Sequence, residues 1–255
     1  MQPKLKQIIV THAPANDHGV QHGRIKPERT QAVSTKGQLH TNFAQPEEIS
    51  EILPVEQTIS SFYLFWCMVI NLIFGFFGLA IFLLILPIVA LLIYCDSPGP
   101  IFYAQKRIGY KGTIFHMYKF RSMHVETSKH TACTRTIQDD PRVTRVGRFL
   151  RSKHLDELPQ VLNILLGDMN LIGPRPEQPE VASMLASIIP LYQTRLRVKP
   201  GITGWAQVMY CYTNTVQGDA IKLKYDIYYI FHRSFFLDLL ILSKTVIGVL
   251  CGHGR

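Results

Sequence analysis

From Gln57 through Cys95 no side chain carries a charge, and the stretch SFYLFWCMVINLIFGFFGLAIFLLILPIVALLIYC, residues 61–95, is apolar almost without interruption. A straight crossing of a bilayer takes about 20 residues, and this run offers 35. Pro87 lies inside it, where a ring lacking an N–H bends or breaks a helix. The pattern predicts one long membrane helix broken at the proline, either tilted across the bilayer or dipping into one leaflet and returning by the same face. A helix buried in a soluble core can also be apolar all round, but 35 such residues exceed what a domain of this size covers. Residues 1–60 show no sustained apolar period and are rich in Gln, His, Thr, Pro and charge, which predicts a flexible N-terminal extension. No signal-peptide pattern opens the chain.

Beyond the apolar run, DSPGPIFYAQKRIGYKGTIFHMYKFRSM places two β-favouring runs around the loop from Gly109 to Gly112, the signature of a hairpin. Helical patterns follow, punctuated by IGPRP and KPGITGW. Near the end, SFFLDLLILSKTVIGVL is strongly apolar but carries Asp238 and Lys244. Seventeen residues with two charges make a poor span, so this segment belongs at the membrane surface or in the domain core. The expected architecture is α+β and membrane-associated. It comprises the extension (1–60), one long Pro-broken membrane helix (61–95), and a mainly helical cytoplasmic catalytic domain (96–255) with a β-hairpin and an interfacial C-terminal helix.

Charge decides the cytoplasmic assignment. The chain carries 27 Lys and Arg against 18 Asp and Glu, a net +9. Between Tyr103 and Lys153 stand twelve Lys and Arg against Glu126, Asp139 and Asp140, so a charge equal to the whole excess is concentrated directly after the apolar run. The positive-inside tendency places that segment in the cytoplasm. Attraction to anionic lipid headgroups accounts for it better than nucleic acid does, because no zinc-finger or RNA-recognition signature is present. The five cysteines are scattered with no C-x-x-C pair, which argues against a disulfide framework or a zinc site.

The chemistry is concentrated in HLDELPQVLNIL. Pro159 suits only the first turn of a helix, so Asp156 and Glu157 flank a helix N-terminus. Carboxylates there often serve as caps that accept backbone N–H groups. Here, however, Arg148, Arg151, Lys153 and Arg175 surround the same turn in sequence, and a helix N-terminus also attracts phosphate. Neighbouring carboxylates beside a phosphate site suit phosphoryl chemistry: one attacks phosphorus, the other helps hold Mg2+. Glycoside hydrolysis, which needs two carboxylates about 5 to 9.5 Å apart flanking the bond, is poorly met by adjacent residues.

From DSPGPIFYAQKRIG through YKFRSM, TRVGRFLRSKHLDELPQVLNILLGDMNLIGPRPE, RVKPGITGWAQV and KLKYDIYYI to LDLLILSKTVIGVL, residues 62–255 resemble the bacterial polyprenyl-phosphate glycosyl-1-phosphate transferases, the monotopic phosphoglycosyl transferases. That resemblance implies transfer of a sugar-1-phosphate from a nucleotide diphosphate (UDP) sugar to polyprenyl (undecaprenyl) phosphate at the inner face of the bacterial cytoplasmic membrane. The family requires Mg2+, releases UMP and initiates exopolysaccharide, capsule or O-antigen synthesis. By motif, Asp156 is implied as the nucleophile that forms a covalent phosphosugar, and Glu157 as the Mg2+ ligand. Lys119, Arg121, Arg175 and Asp226 are implied as substrate, phosphate or metal contacts. The resemblance also favours the re-entrant form of the membrane helix. A catalytically inactive, membrane-anchored scaffold of an export complex is the alternative from another class. Neither the donor sugar nor the oligomeric state is legible in the sequence.

Overall fold

A computed structural model describes residues 59–124, 140–210 and 215–250. The extension expected over 1–60 lies outside the described residues except for its last two positions, as do Lys129 and Arg135 of the basic segment.

Helix α1 (Ser61–Asp96) is a single helix of 36 residues, started by Ser60, whose hydroxyl accepts the Phe62 N–H at 3.3 Å. Pro87 lies inside it, and the expected break does not interrupt it. A proline removes one N–H and crowds one carbonyl. Phe82, before the proline, and Val89 and Ile93, after it, cluster with Phe120, Leu150 and Val161 and hold the helix on both sides of that defect. The buried positions of α1, Tyr63, Ile70, Gly75, Phe82, Val89 and Ile93, mostly recur at intervals of seven or four, so they form one stripe. Only 17% of its most apolar window is buried, which separates α1 from the core helix of a soluble protein. Among the described residues it is the one helix long and apolar enough to cross a membrane.

The stripe is the seam along which the remaining elements pack. A β-carbon added at Gly75 would lie 2.7 Å from Leu165 Cδ2, and one at Gly78 would lie 2.7 Å from Val161 Cγ1. These glycines let helix α3 (Val161–Leu166) approach α1 closely. Asn71, the polar residue in mid-helix, donates to Asn170 Oδ1 at 2.9 Å and accepts the Leu171 N–H at 2.8 Å. It thereby ties α1 to the short strand Asn170–Ile172.

The two β-favouring runs form the predicted hairpin: β1 (Phe102–Ile108) and β2 (Ile114–Phe120) pair antiparallel from Phe102↔Phe120 to Ile108↔Ile114. Helix α2 (Arg145–Ser152) follows, capped by Thr144 and by Asp96 at the end of α1, whose Oδ2 accepts the Val146 N–H at 2.9 Å. After α3, the short strands β3 (Asn170–Ile172) and β4 (Gly201–Thr203) pair in parallel. Between them lie helix α4 (Pro179–Ile188) and a 3₁₀ segment, Tyr192–Arg197. Helices α5 (Trp205–Met209), α6 (Val216–His232) and α7 (Phe235–Leu250) complete the described fold.

Helix α7 is the apolar C-terminal segment. Asp238 and Ile241 are buried, while Phe236, Leu239, Leu240, Val246, Ile247 and Val249 are exposed. Its first turn meets the start of α1: the Trp66 and Phe235 rings stand edge to face at 4.5 Å, and Tyr63 donates to Asp238 Oδ2 at 3.0 Å. The helix thus has a few buried anchors and an apolar outer face that meets no partner among the described residues.

Candidate active site

The turn that carries the carboxylates is built from three local events. His154 adopts a left-handed conformation (φ 55°) and redirects the chain out of α2. A 3₁₀ segment, Leu155–Gln160, follows with Pro159 inside it, and α3 begins only at Val161. Asp156 and Glu157 therefore stand in a 3₁₀ turn ahead of the helix rather than at an α-helical N-cap. Among the described residues, no backbone N–H is capped by Asp156, so the bland capping role does not account for it.

Asn163, fully buried, fixes this turn against the hairpin. Its Nδ2 donates to the His116 carbonyl at 2.8 Å, and its Oδ1 accepts the Tyr118 N–H at 3.1 Å. Both partners are on β2, so the next residue, Lys119, is brought over the turn. Lys119 Nζ bonds Glu157 Oε1 at 2.7 Å. From the other side Arg175, on the loop after β3, grips the same carboxylate: Nη1 donates to Oε2 at 3.3 Å and Nη2 donates to Oε1. Glu157 is thus held between two cations.

Its neighbour is treated differently. Asp156 is 7% exposed, and among the described residues neither hydrogen bond nor ion pair restrains its carboxylate. Burial pushes the Asp156 carboxyl above its ordinary range, with Lys119 opposing and Glu157 adding to the rise. Burial acts in the same direction on Glu157, but Arg175 and Lys119 outweigh it and hold that carboxyl well below the usual carboxylate range. Burial pushes the Lys119 ammonium down despite Glu157. Two adjacent acids thereby acquire opposite characters from environment alone. One is permanently ionised and neutralised, and the other is desolvated with its oxygens uncommitted.

The other residues singled out in the sequence divide. Lys119 and Arg175 converge on Glu157. Arg121 does not join them: it is buried beyond the end of β2, where its guanidinium binds the Ser97 carbonyl and, at 3.3 Å, the Pro98 carbonyl. It clamps the turn that leaves α1. Asp226, 2% exposed, pairs with Arg195 at 2.8 Å rather than with the acid turn. Burial works against the Arg195 charge, and Asp226 outweighs it and raises the guanidinium. Several cations of the basic segment also turn inward. Arg107 donates to the Pro176 carbonyl at 3.0 Å, Arg151 to Ser122 Oγ at 2.9 Å, and Arg142 pairs with Asp140.

A model of the bacterial sugar transferase family matches residues 62–252. The chain belongs to the bacterial sugar transferase family. This member is 46% identical over 166 residues to the UDP-N-acetylgalactosamine-undecaprenyl-phosphate N-acetylgalactosaminephosphotransferase of Aeromonas hydrophila, covering 65% of this chain and 39% of that protein. It is 41% identical over 171 residues to the UDP-glucose:undecaprenyl-phosphate glucose-1-phosphate transferase of Escherichia coli (strain K12), covering 65% and 37% respectively. It is also 36% identical over 167 residues to the exopolysaccharide production protein PSS of Rhizobium leguminosarum bv. phaseoli, covering 64% of this chain and 84% of that protein. The matched part therefore spans about two fifths of the two longer relatives.

As to a divalent ion in this family member, no group of three or more His, Cys, Asp or Glu among the described residues is placed to hold one. Mg2+ needs no such cage, since it is commonly bound through one or two carboxylates plus substrate phosphates and water. Glu157 and its neighbour Asp156 are donors of that type, and in this structure Glu157 is engaged by Lys119 and Arg175.

Sequence reasoning missed Arg195, Glu177 and Lys222, and it counted Arg107 only among the basic residues facing lipid, whereas Arg107 turns inward to the Pro176 carbonyl. Lys222 Nζ lies 3.3 Å from Glu177 Oε1. Arg195 precedes the RVKPG motif, yet nothing in a linear pattern separates a buried arginine from the solvated ones beside it.

Proposed function

We propose that this chain transfers a sugar-1-phosphate from a UDP-linked sugar to undecaprenyl phosphate, through a phosphosugar carried on Asp156, at the first step of an exopolysaccharide, capsule or O-antigen. The observation that carries the reading is the division between the two acids: an uncommitted, desolvated carboxylate beside one pinned by Lys119 and Arg175. An oxygen of ionised Asp156 attacks the sugar-bearing phosphorus. The phosphoanhydride bond breaks, and its electron pair leaves with UMP. In the second step an oxygen of the lipid phosphate attacks the same phosphorus and Asp156 departs as carboxylate, so the residue is regenerated. Lys119 and Arg175 suit the charge that gathers on the phosphoryl oxygens. Glu157 would help hold Mg2+, which would further neutralise the diphosphate. A soluble donor and a lipid acceptor need not be bound at once when the sugar phosphate waits on the protein.

We read α1 as re-entrant, with both of its ends on the cytoplasmic face of the inner membrane. Support comes from where its partners lie: Tyr63 near its start bonds Asp238, and Asp96 at its end caps α2. About 50 Å of helix lies between those contacts, more than the roughly 30 Å of a hydrocarbon core, yet both are made to the same catalytic unit, and a bend at Pro87 would let the helix dip and return by one face. Anionic lipid would meet the exposed cations Lys106, Lys111, Arg145, Arg148 and Lys153.

The test mixes the full chain with a panel of UDP-sugars, Mg2+ and undecaprenyl phosphate. Release of UMP, with a phosphosugar adduct on Asp156 detected by mass spectrometry when donor alone is present, is the expected result. No UMP from any donor sinks the transferase reading and favours an inactive scaffold. For topology, single cysteines near positions 50 and 97 in a background without the native five should both resist an impermeant thiol reagent in intact cells. Labelling at position 50 from outside would establish a crossing helix.

A further inference from the structure

Arg175 must be held on Glu157 by something, and its own loop is poorly equipped to do it. In Gly173–Pro174–Arg175–Pro176 both prolines lack an N–H, so the loop has few donors with which to brace itself. Instead, three successive carbonyls are each held from outside. The Gly201 N–H donates to Pro174 O at 3.0 Å, Arg195 Nη2 donates to Arg175 O at 2.9 Å, and Arg107 Nη1 donates to Pro176 O at 3.0 Å.

Building on the transferase reading, we propose that Arg195 is a positioning residue of the active site: anchored by Asp226, its guanidinium fixes the main chain of Arg175 and so keeps the Arg175 side chain on Glu157. Arg195 lies in the 3₁₀ segment Tyr192–Arg197 and bonds three partners at once, two of them outside that segment. Its Nε donates to Asp226 Oδ2 on α6 at 2.8 Å, its Nη1 to Tyr192 Oη at 2.6 Å, and its Nη2 to the Arg175 carbonyl. A guanidinium is a rigid planar fork. Once Asp226 and Tyr192 set its plane, the direction of the third arm is determined. Arg195 and Asp226 are 8% and 2% exposed, so water does not compete for these bonds. A chain of contacts thus runs from Asp226 through Arg195 to the Arg175 backbone, then from its guanidinium to Glu157 beside Asp156. It gives Asp226 a purpose that requires no contact with substrate.

The test compares Arg195→Lys, Arg175→Ala and the double variant in the full chain, in lipid nanodiscs, with rates normalised to folded protein. A lysine keeps the charge opposite Asp226 but cannot reproduce the fork. Arg195→Lys should lower kcat/KM by about 10- to 100-fold. Because Arg195 acts through Arg175, the double variant should be no slower than Arg175→Ala within about threefold. Multiplied losses in the double variant, or an Arg195→Lys protein with unchanged kcat/KM, would overturn the proposal. If Arg195→Lys does not fold, Tyr192→Phe removes one arm of the same fork. It should then cost activity in the natural background and none in Arg175→Ala, and a loss in both backgrounds would count against the proposal.

A readout independent of activity separates this proposal from the transferase reading. With the arginine reagent phenylglyoxal, Arg175 should be modified several-fold faster in Arg195→Lys (or Tyr192→Phe) than in the natural chain. Arg121, buried on the Ser97 and Pro98 carbonyls, should not change and so reports general loosening. If Arg175 reactivity stays constant, or Arg121 rises with it, the positioning role is wrong. This holds even where no donor yields UMP and the transferase reading has already failed.

Discussion

Of the carboxylates drawn into the interior of this protein, two have opposite surroundings. Glu157 lies between Lys119 and Arg175. Asp238, on α7, meets hydroxyls: Tyr63 from α1 donates at 3.0 Å and Tyr229 from α6 at 3.2 Å. At Glu157 the cations outweigh burial and the acid stays ionised. At Asp238 burial dominates, the two hydroxyls only soften it, and the carboxyl is pushed up to about 6. Cations select a charge state, whereas neutral donors select a geometry. The first cluster is therefore suited to receiving and neutralising phosphate. The second fastens the start of α1 to α6 and α7.

The comparison is broken most sharply by exchanging a carboxylate for its amide in each region. Asp156→Asn should reduce UMP release by roughly a thousandfold or more, as loss of a nucleophile does, and leave no adduct. Asp238→Asn should leave the rate within about threefold, since an amide can still accept from one tyrosine and donate to the other. Equal losses in the two variants would erase the distinction between reacting and fastening clusters.

Glu157→Gln comes next in size. It leaves Lys119 and Arg175 buried without their counter-charge, a defect of about 3–5 kcal/mol when one partner of a buried pair is removed. A lowered thermal midpoint and a weakened response to Mg2+ are expected, read by thermal unfolding and by a Mg2+ titration of the rate. A midpoint within error of the natural chain would mean that the two cations find other partners.

The smallest effect is a pH dependence at Asp238. Its folded value, about 6, lies above the unfolded value of 3.8, so the folded state binds more protons between those limits. Stability contributed by this group is therefore present below about pH 4 and lost as pH rises through 6. Asp238→Asn should raise the thermal midpoint at pH 8 by roughly 2–4 °C, the shift that about 1 kcal/mol makes in a chain of this size. The advantage should vanish towards pH 4. An advantage of the same size at both pH values would assign it to packing rather than ionisation.

Much of the frame was legible in the sequence. The apolar run became α1 and the β-favouring runs became the hairpin with its loop where expected, but of the cations expected around the acid pair only Arg175 bonds Glu157, joined by Lys119 from β2. Pro87 was expected to bend or break α1; the helical assignment runs through it, with Phe82 on one side and Val89 and Ile93 on the other packed into one cluster. Lys119 and Arg121, two residues apart in YKFRSM, read as equivalent contacts. They part because the turn leaving α1 brings the Ser97 and Pro98 carbonyls to Arg121, one rung beyond the end of β2, while Lys119 meets Glu157.

What the chain determined by itself was local: the length and apolarity of α1, the turn at His154 and Pro159, the loop robbed of donors by Pro174 and Pro176. These follow from steric and hydrogen-bonding rules acting over a few neighbours, so they are written in consecutive residues. Only the tertiary structure decided which acid would be clamped and which left free. Glu157 meets Lys119 across 38 residues and Arg175 across 18, while Arg195 reaches Asp226 across 31. Coulomb attraction and burial act through space and depend on which elements pack together, and no spacing along the chain encodes that.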